Sequence, residues 1–207
     1  APAAAMATAD REQLRRTHGA GEDTCVVLIA SRFEAWKGHR DLIESLASGS
    51  ASWQLWIAGA PQKTGEGAND TALRELAAKH HVENRVRFLG HSDRVPALMA
   101  AADLLCQPNT DPEPFGIVFV EALYAGLPVV TTGFGGAAEI VTNACGVLVP
   151  PGDRRALVQT LGSLIVDRPR CRALGSAGPA RAAGLCDPST RLAEVSRVLA
   201  GAGVACH

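Results

Sequence analysis

The sequence predicts a doubly wound, Rossmann-like α/β domain built on a parallel sheet of about six strands. Three observations lead there. Short, continuous apolar runs rich in β-branched residues recur at 25–30 (CVVLIA), 55–59, 86–90, 103–107, 128–132 and 146–150, each reading as a strand buried on both faces. Between them lie amphipathic stretches whose apolar residues fall at helical spacing: Leu42, Ile43 and Leu46; Leu73, Leu76 and Ala77; Val95, Leu98 and Met99. Strand and helix alternating at this pace call for parallel pairing through right-handed crossovers. In such sheets ligands bind beyond the carboxyl ends of the strands, so the strand-to-helix turns are where chemistry is expected.

Taken in order, residues 1–24 read as a lead-in or interdomain linker, with one short helix in ADREQLRRTHGAGED. The domain proper spans 25–166. The stretch PQKTGEGAND (61–70) reads as a mobile turn after the second strand. A helix is expected over 116–125 with Ile117, Val120 and Tyr124 facing inward, Gly126 ending it and Pro128 preventing its continuation. Asp153 is placed to cap a helix carrying Leu157, Leu161, Leu164 and Ile165, and 167–207 are expected to form closing helices, the last with Leu192, Val195 and Leu199.

The 207 residues suffice for one large core or two small ones, and 47% hydrophobic with 20% charged residues is an ordinary globular composition. A formal net charge of −1, the lack of long like-charge runs and 4% aromatics give no signal for nucleic acid as a partner. The six cysteines contain no Cys-x-x-Cys pair, which argues against a zinc knuckle or redox motif, and Cys25 and Cys106 read as buried, reduced thiols in a cytoplasmic protein. No apolar stretch approaches the roughly 20 residues of a membrane-spanning helix. The chain does not begin with Met and is expected to be a domain excised from a longer protein.

Three turns carry candidate chemistry. DPEPFGIVFVEALYAGLPVVTT (111–132) sets Glu113 and Glu121 eight positions apart around Pro-Phe-Gly, the first in a proline-stiffened loop and the second about a turn into the helix. Ionised carboxylates accept hydrogen bonds and suit a ligand rich in hydroxyls, such as a sugar or a ribose. Backbone amides of Phe115, Gly116, Ile117 and Val118 at the helix start suit an anion. Together they imply a sugar nucleotide, while the alternative, glutamates that merely favour the helix start, stays open; both would share one crevice only if the loop folds back. The turn after the first strand places Arg32 and Lys37 five residues apart, with Gly38 allowing a sharp bend into the next helix. A planar fork and a point charge can neutralise a diphosphate, and with three lysines against seventeen arginines in the chain a lysine here is less easily read as filler. The third turn, TTGFGGAAEIV (131–141), departs from Gly-x-Gly-x-x-Gly and reads as a tight structural turn with Glu139 on the helix dipole. His91 and Ser92 are candidate contacts to a nucleobase; His39, His80 and His81 have no ligand spacing.

SRFEAWKGHRDLIESLA, RFLGHSDRVPALMAAADLLCQP, EPFGIVFVEALYAGLPVVTT and GGAAEIV followed by GVLVPPGD resemble, in order, the carboxyl-terminal donor-binding domain of the retaining family 4 glycosyltransferases of GT-B fold. The resemblance covers about residues 22–166 and centres on the Glu-x7-Glu element. It implies transfer of a sugar from a nucleoside-diphosphate donor with retention at the anomeric carbon. By the same resemblance Glu113 contacts donor-sugar hydroxyls and Glu121 the ribose. Arg32 and Lys37 hold the diphosphate, the amides near Phe115, Gly116 and Ile117 line the pocket, and His91 with Ser92 lies near the base. No metal or other cofactor is expected, the nucleotide sugar being the substrate.

Two departures are Ser31, where Gly is frequent, and Asn109, where Ser is frequent. A larger one is the lack of room for the amino-terminal acceptor domain, so the chain is expected to bind donor weakly and transfer little. The acceptor, whether sugar, lipid or small molecule, is not specified by these residues. A cytoplasmic location is expected, with peripheral membrane contact allowed for the parent enzyme. The competing readings are a GT-B sugar-nucleotide epimerase, a glycoside hydrolase using the two carboxylates, and a non-catalytic nucleotide-sugar binding module.

Overall fold

The apolar runs form six strands because each offers side chains to both faces at period two. In β1 (Cys25–Ala30), Val27 and Ile29 enter one core while Val26 and Leu28 enter the other. The structure, a computed structural model, describes residues 7–49, 51–60 and 66–201, with backbone alone for 66–68. The remaining strands are β2 (Trp53–Ala58), β3 (Val86–Gly90), β4 (Leu104–Gln107), β5 (Val129–Thr132) and β6 (Gly146–Val149). They lie in the order β3-β2-β1-β4-β5-β6, all parallel. The order reverses between β1 and β4. At that reversal the helices following the two strands leave in opposite directions and open a crevice at the carboxyl edge.

One face of the sheet is covered by α2 (His39–Ala47), α3 (Glu66–Lys79) and α7 (Arg154–Val166), through Leu42, Ile43, Leu73, Leu76, Leu157 and Leu161. The other is covered by α4 (Val95–Ala101), α5 (Ile117–Tyr124), α6 (Gly136–Ile140) and α8 (Arg168–Leu185), around Trp56, Leu105, Phe119 and Leu123. Each fully buried Leu, Ile or Phe contributes about 1.5–3 kcal/mol relative to exposure, so sheet position is fixed by many such terms. Asp153 caps α7 by accepting from the Ala156 amide at 2.9 Å, as its place in the sequence suggests.

Residues 61–65, the first half of the expected mobile turn, lie outside the described residues, as does Cys206; from Glu66 onward the stretch is already α3. Within the lead-in, α1 (Thr8–Thr17) is docked rather than free. Arg15, 4% exposed, bonds to the Ala101, Gly21 and Thr24 carbonyls and, with Arg11 and Arg168, to Asp103, the residue before β4. These ion pairs tie α1 and α8 to the amino edge of the sheet. A cavity of about 600 Å³ lies beside them, at the end of the sheet opposite the crevice.

Two expectations about facing are corrected. In α5 the buried residues are Phe119, Ala122 and Leu123, while Ile117 is 67% exposed and Val120 and Tyr124 are half-buried. The run IVFVEALY is apolar on nearly every side, so periodicity could not select a face; docking of α8 against α5, with Gly178 close to the Leu123 carbonyl, does. In α9 (Pro188–Gly201) no residue is buried, and Leu192 and Val195, expected to close the core, are exposed.

Candidate functional site

The crevice at the β1/β4 reversal is made by two loops stitched together. After β1 the chain makes a 3₁₀ turn (Ala35–Lys37) and passes through Gly38 at φ +77° into α2. A Cβ there would sit 2.1 Å from the Pro108 carbonyl oxygen, so only glycine lets the β1 loop lie against the β4 loop. The Thr110 amide donates to the Trp36 carbonyl at 2.8 Å, closing the seam. From β5, Thr131 and Thr132 hydroxyls donate to the Gln107 and Asn109 carbonyls at 2.8 and 2.7 Å. Glu113 is then paired like a strand with Gly135, and the Gly136 amide donates to its carbonyl at 2.8 Å. The glycine turn at 133–136 thus positions Glu113. The tight structural turn expected at 131–141 is also part of the site's frame.

These contacts bring Lys37 and Glu113 together. Lys37 Nζ lies 2.9 Å from Glu113 Oε2 and 3.8 Å from the centre of the Trp36 ring. The same oxygen accepts from Asn109 at 3.0 Å and Gln107 at 3.3 Å, while among the described residues Oε1 takes only the Gly116 amide, at 3.4 Å. Burial opposes ionisation of Glu113, but the Lys37 hydrogen bond and charge, with Asn109 and Gly116, outweigh it and hold the carboxyl below its usual range. Gln107 and Asn109 are buried polar residues that sequence reading did not include in the site, beyond remarking that Asn109 stands where serine is frequent. The signal was present: a glutamine ending an otherwise apolar strand.

The other predicted residues are distributed around this pair. Arg32, 38% exposed at its side chain, pairs with Glu34 at 2.9 Å. Gly116 caps α5, and among the described residues no protein acceptor takes the amides of Ile117 or Val118, the first two of the helix. Phe115 and Ile117 side chains are exposed, as is Glu121, one helical turn beyond Ile117. The loop does fold back, yet it brings only Glu113 inward; no contact joins Glu113 and Glu121 among the described residues. His91 is exposed and pairs with Asp93 at 3.3 Å, and the Ser92 hydroxyl accepts the Arg94 amide at 3.1 Å at the start of α4. Among the described residues no group of three or more His, Cys, Asp or Glu side chains is arranged to hold a metal ion.

His39, set aside in the sequence, lies under the crevice floor, 3% exposed, with Nε2 3.3 Å from the Ser31 hydroxyl and its ring edge-on to Phe33. Burial, and secondarily the Lys37 charge, push its pKa from 6.5 down to about 4. Between those values the unfolded chain takes up a proton that the folded chain refuses. Stability is therefore expected to fall as pH drops from about 6.5 towards 4, by up to about 3 kcal/mol. Urea midpoints across that range, compared with His39→Gln in which this component flattens, check the sign. A His39 imidazole titrating near 6.5 by NMR would contradict it.

A doubly wound sheet of six parallel strands, with a lysine–glutamate pair and free helix amides at its reversal point, has the form of one half of a GT-B glycosyltransferase. The sequence profile described as "Glycosyl transferases group 1" matches residues 10–181, and the chain belongs to that family. It is 34% identical over 183 residues to a GDP-mannose-dependent monoacylated alpha-(1-6)-phosphatidylinositol monomannoside mannosyltransferase of Corynebacterium glutamicum, covering 83% of this chain and 46% of that protein. Its structure resembles Alr3699/HepE of Anabaena in complex with UDP and glucose, with TM-score 0.85, 33% identity, and coverage of 95% of this chain and 53% of that one. The C-terminal domain of the group 1 glycosyl transferase LpcC from Francisella tularensis shares the fold at TM-score 0.72 and 19% identity, over 84% of this chain and 91% of that one. The chain thus spans about half the length of the curated relatives it matches. Among the described residues no helix is long and apolar enough to cross a membrane.

Proposed function

We propose that this chain is the donor-binding half of a retaining, family 4 glycosyltransferase that moves a sugar from a nucleoside diphosphate to an acceptor hydroxyl. The observation that carries the reading is the Lys37–Glu113 pair, 2.9 Å apart at the sheet reversal, beside the free amides of Ile117 and Val118. Cation and amides suit the diphosphate, and the carboxylate, with Oε1 lightly engaged, suits sugar hydroxyls. Glu121 is exposed one turn further along the same helix, where a ribose diol could be held. Relatives named as GDP-mannose-dependent and a structural neighbour crystallised with UDP-glucose support a nucleotide-sugar donor.

In this reading the bond from the anomeric carbon to the β-phosphate oxygen breaks while the acceptor hydroxyl attacks the same face, and its proton passes to a departing phosphate oxygen. Negative charge growing on the diphosphate is stabilised by Lys37, Arg32 and the α5 amides, set in place before the reaction. Neither glutamate acts as a nucleophile. A glycosidase reading is disfavoured because its two carboxyl groups need no cation, which leaves the Lys37 ammonium held 2.9 Å from Glu113 without a role. The acceptor is assigned to an amino-terminal half, and the chain alone is expected to bind donor without transferring it. We place the parent enzyme in the cytoplasm, in contact with a membrane if its acceptor is a lipid.

Calorimetric titration with UDP, GDP, ADP and their common sugar conjugates tests this. Saturable binding of one nucleoside diphosphate, tighter than its monophosphate, is expected and names the base. Absence of binding both to the chain alone and with an amino-terminal half supplied in trans would overturn the reading, as would hydrolysis of simple glycosides.

A further inference from the structure

The two cations of the β1 turn are both already matched by carboxylates, but very unequally. Glu113 accepts from four donors, Lys37, Asn109, Gln107 and the Gly116 amide, and its backbone is fixed to Gly135 and Gly136. Among the described residues Glu34 holds only Arg32, through Oε1 at 2.9 Å. Its other oxygen is buried and has no hydrogen-bond partner among the described residues. Glu34 stands at the N-cap of the 3₁₀ turn, yet its side chain makes no capping bond. An ionised carboxylate with one oxygen buried and unsatisfied is held at a cost. Lys37, Arg32, Glu113 and Glu34 sum to no net charge, so a diphosphate approaching this turn gains little until one carboxylate yields its cation.

We infer that Glu34 is the carboxylate that yields, so that Arg32 is exchanged from Glu34 to the diphosphate and Glu34 sets the site's affinity for it. The inference rests on the donor-site reading above. Glu34 is suited to the exchange on a second count: it also lines a cavity of about 140 Å³ between the β1 turn and α3, together with Arg40 and Asn69. Phe33, Ala35, Ala72 and Leu73 line it as well, so the released carboxylate is solvated by the several waters that volume holds rather than by its walls. Glu34 is thus a specificity-determining residue that restrains Arg32 against weakly charged anions and gives it up to a doubly charged one.

The test is calorimetry of the chain, Glu34→Gln, Arg32→Ala and the double variant with inorganic pyrophosphate, UDP and GDP at low salt, with melting curves to confirm folding. Glu34→Gln is expected to tighten pyrophosphate and nucleoside diphosphate binding by about three- to fivefold, and to do nothing when Arg32 is already alanine. Equal or weaker binding in Glu34→Gln would overturn the inference, since Glu34 would then be inert or would be orienting Arg32 for the ligand. Pyrophosphate binding gained by Glu34→Gln, with no nucleoside diphosphate bound by any form, would leave the exchange standing and reject the donor-site reading. Absence of pyrophosphate binding in every form would reject the exchange.

Discussion

Lys37→Ala is expected to weaken nucleoside diphosphate binding by about ten- to hundredfold, the range of a charge-assisted hydrogen bond to a partly desolvated anion. The lysine is held in place on both sides. Trp36 stacks under its ammonium, Glu113 fixes its far side, and its side chain keeps only 12% exposure. Removing it also leaves Glu113, 7% exposed, without a cation. Burial then dominates and the carboxyl titrates higher, which destabilises the ionised form that suits sugar hydroxyls. Breaking a fully buried pair costs about 3–5 kcal/mol; the Asn109, Gln107 and Gly116 donors remain, so about 1–2 kcal/mol of stability is the expected loss. Lys37→Arg is not expected to restore binding, because a branched, planar fork does not fit where a point charge sits between an indole and a carboxylate. Titration calorimetry alongside thermal melts separates the two effects, and unchanged affinity in Lys37→Ala would remove this residue from the site.

Gly135→Ala is expected to be strongly destabilising and to disable the crevice as well. Gly135 has φ +57° and ψ −139°, a backbone region that residues with a Cβ enter only under strain. The added methyl would lie 2.3 Å from the Glu113 carbonyl oxygen and 3.0 Å from its amide nitrogen, so one of the two backbones must move. Strain and overpacking together amount to about 4 kcal/mol, or roughly 8–16 °C in Tm for a domain of this size. Since Gly136 donates to the same carbonyl, Glu113 moves with the backbone and ligand affinity falls in parallel. Gly152→Ala is the matched control: its φ is also positive, +74°, but nothing lies within 4 Å of the added Cβ. It should cost about 1–2 kcal/mol and leave binding alone.

The alternation of β-branched runs with amphipathic stretches was sufficient for the fold, because period two and period 3.6 patterns admit few topologies once crossovers must be right-handed. Strands β1 and β3 fall where the pattern placed them, and Leu42, Ile43, Leu46, Leu73, Leu76 and Ala77 are buried as their spacing requires. The pattern failed at α5 and α9, for opposite reasons. In α5 nearly every side is apolar and no face stands out. In α9 a face does stand out, yet none of its residues is buried.

Lys37, Arg32, Glu113 and Glu121 could be nominated from sequence because charged residues at strand ends and helix starts are conspicuous in an apolar chain. Their partners could not. Asn109 and Gln107 act on Glu113 from four and six residues earlier in the chain, and Gly135 reaches it from the turn after β5, 22 positions later. The pairing of Lys37 with Glu113 spans 76 positions. The sequence by itself determined the strand and helix pattern and which ionisable side chains lie at the carboxyl edge, since those follow from local periodicity and turn chemistry. Only the tertiary structure decided which carboxylate each cation meets, because that depends on loops from β1, β4 and β5 converging at a sheet reversal, and no local pattern encodes a contact between segments so far apart.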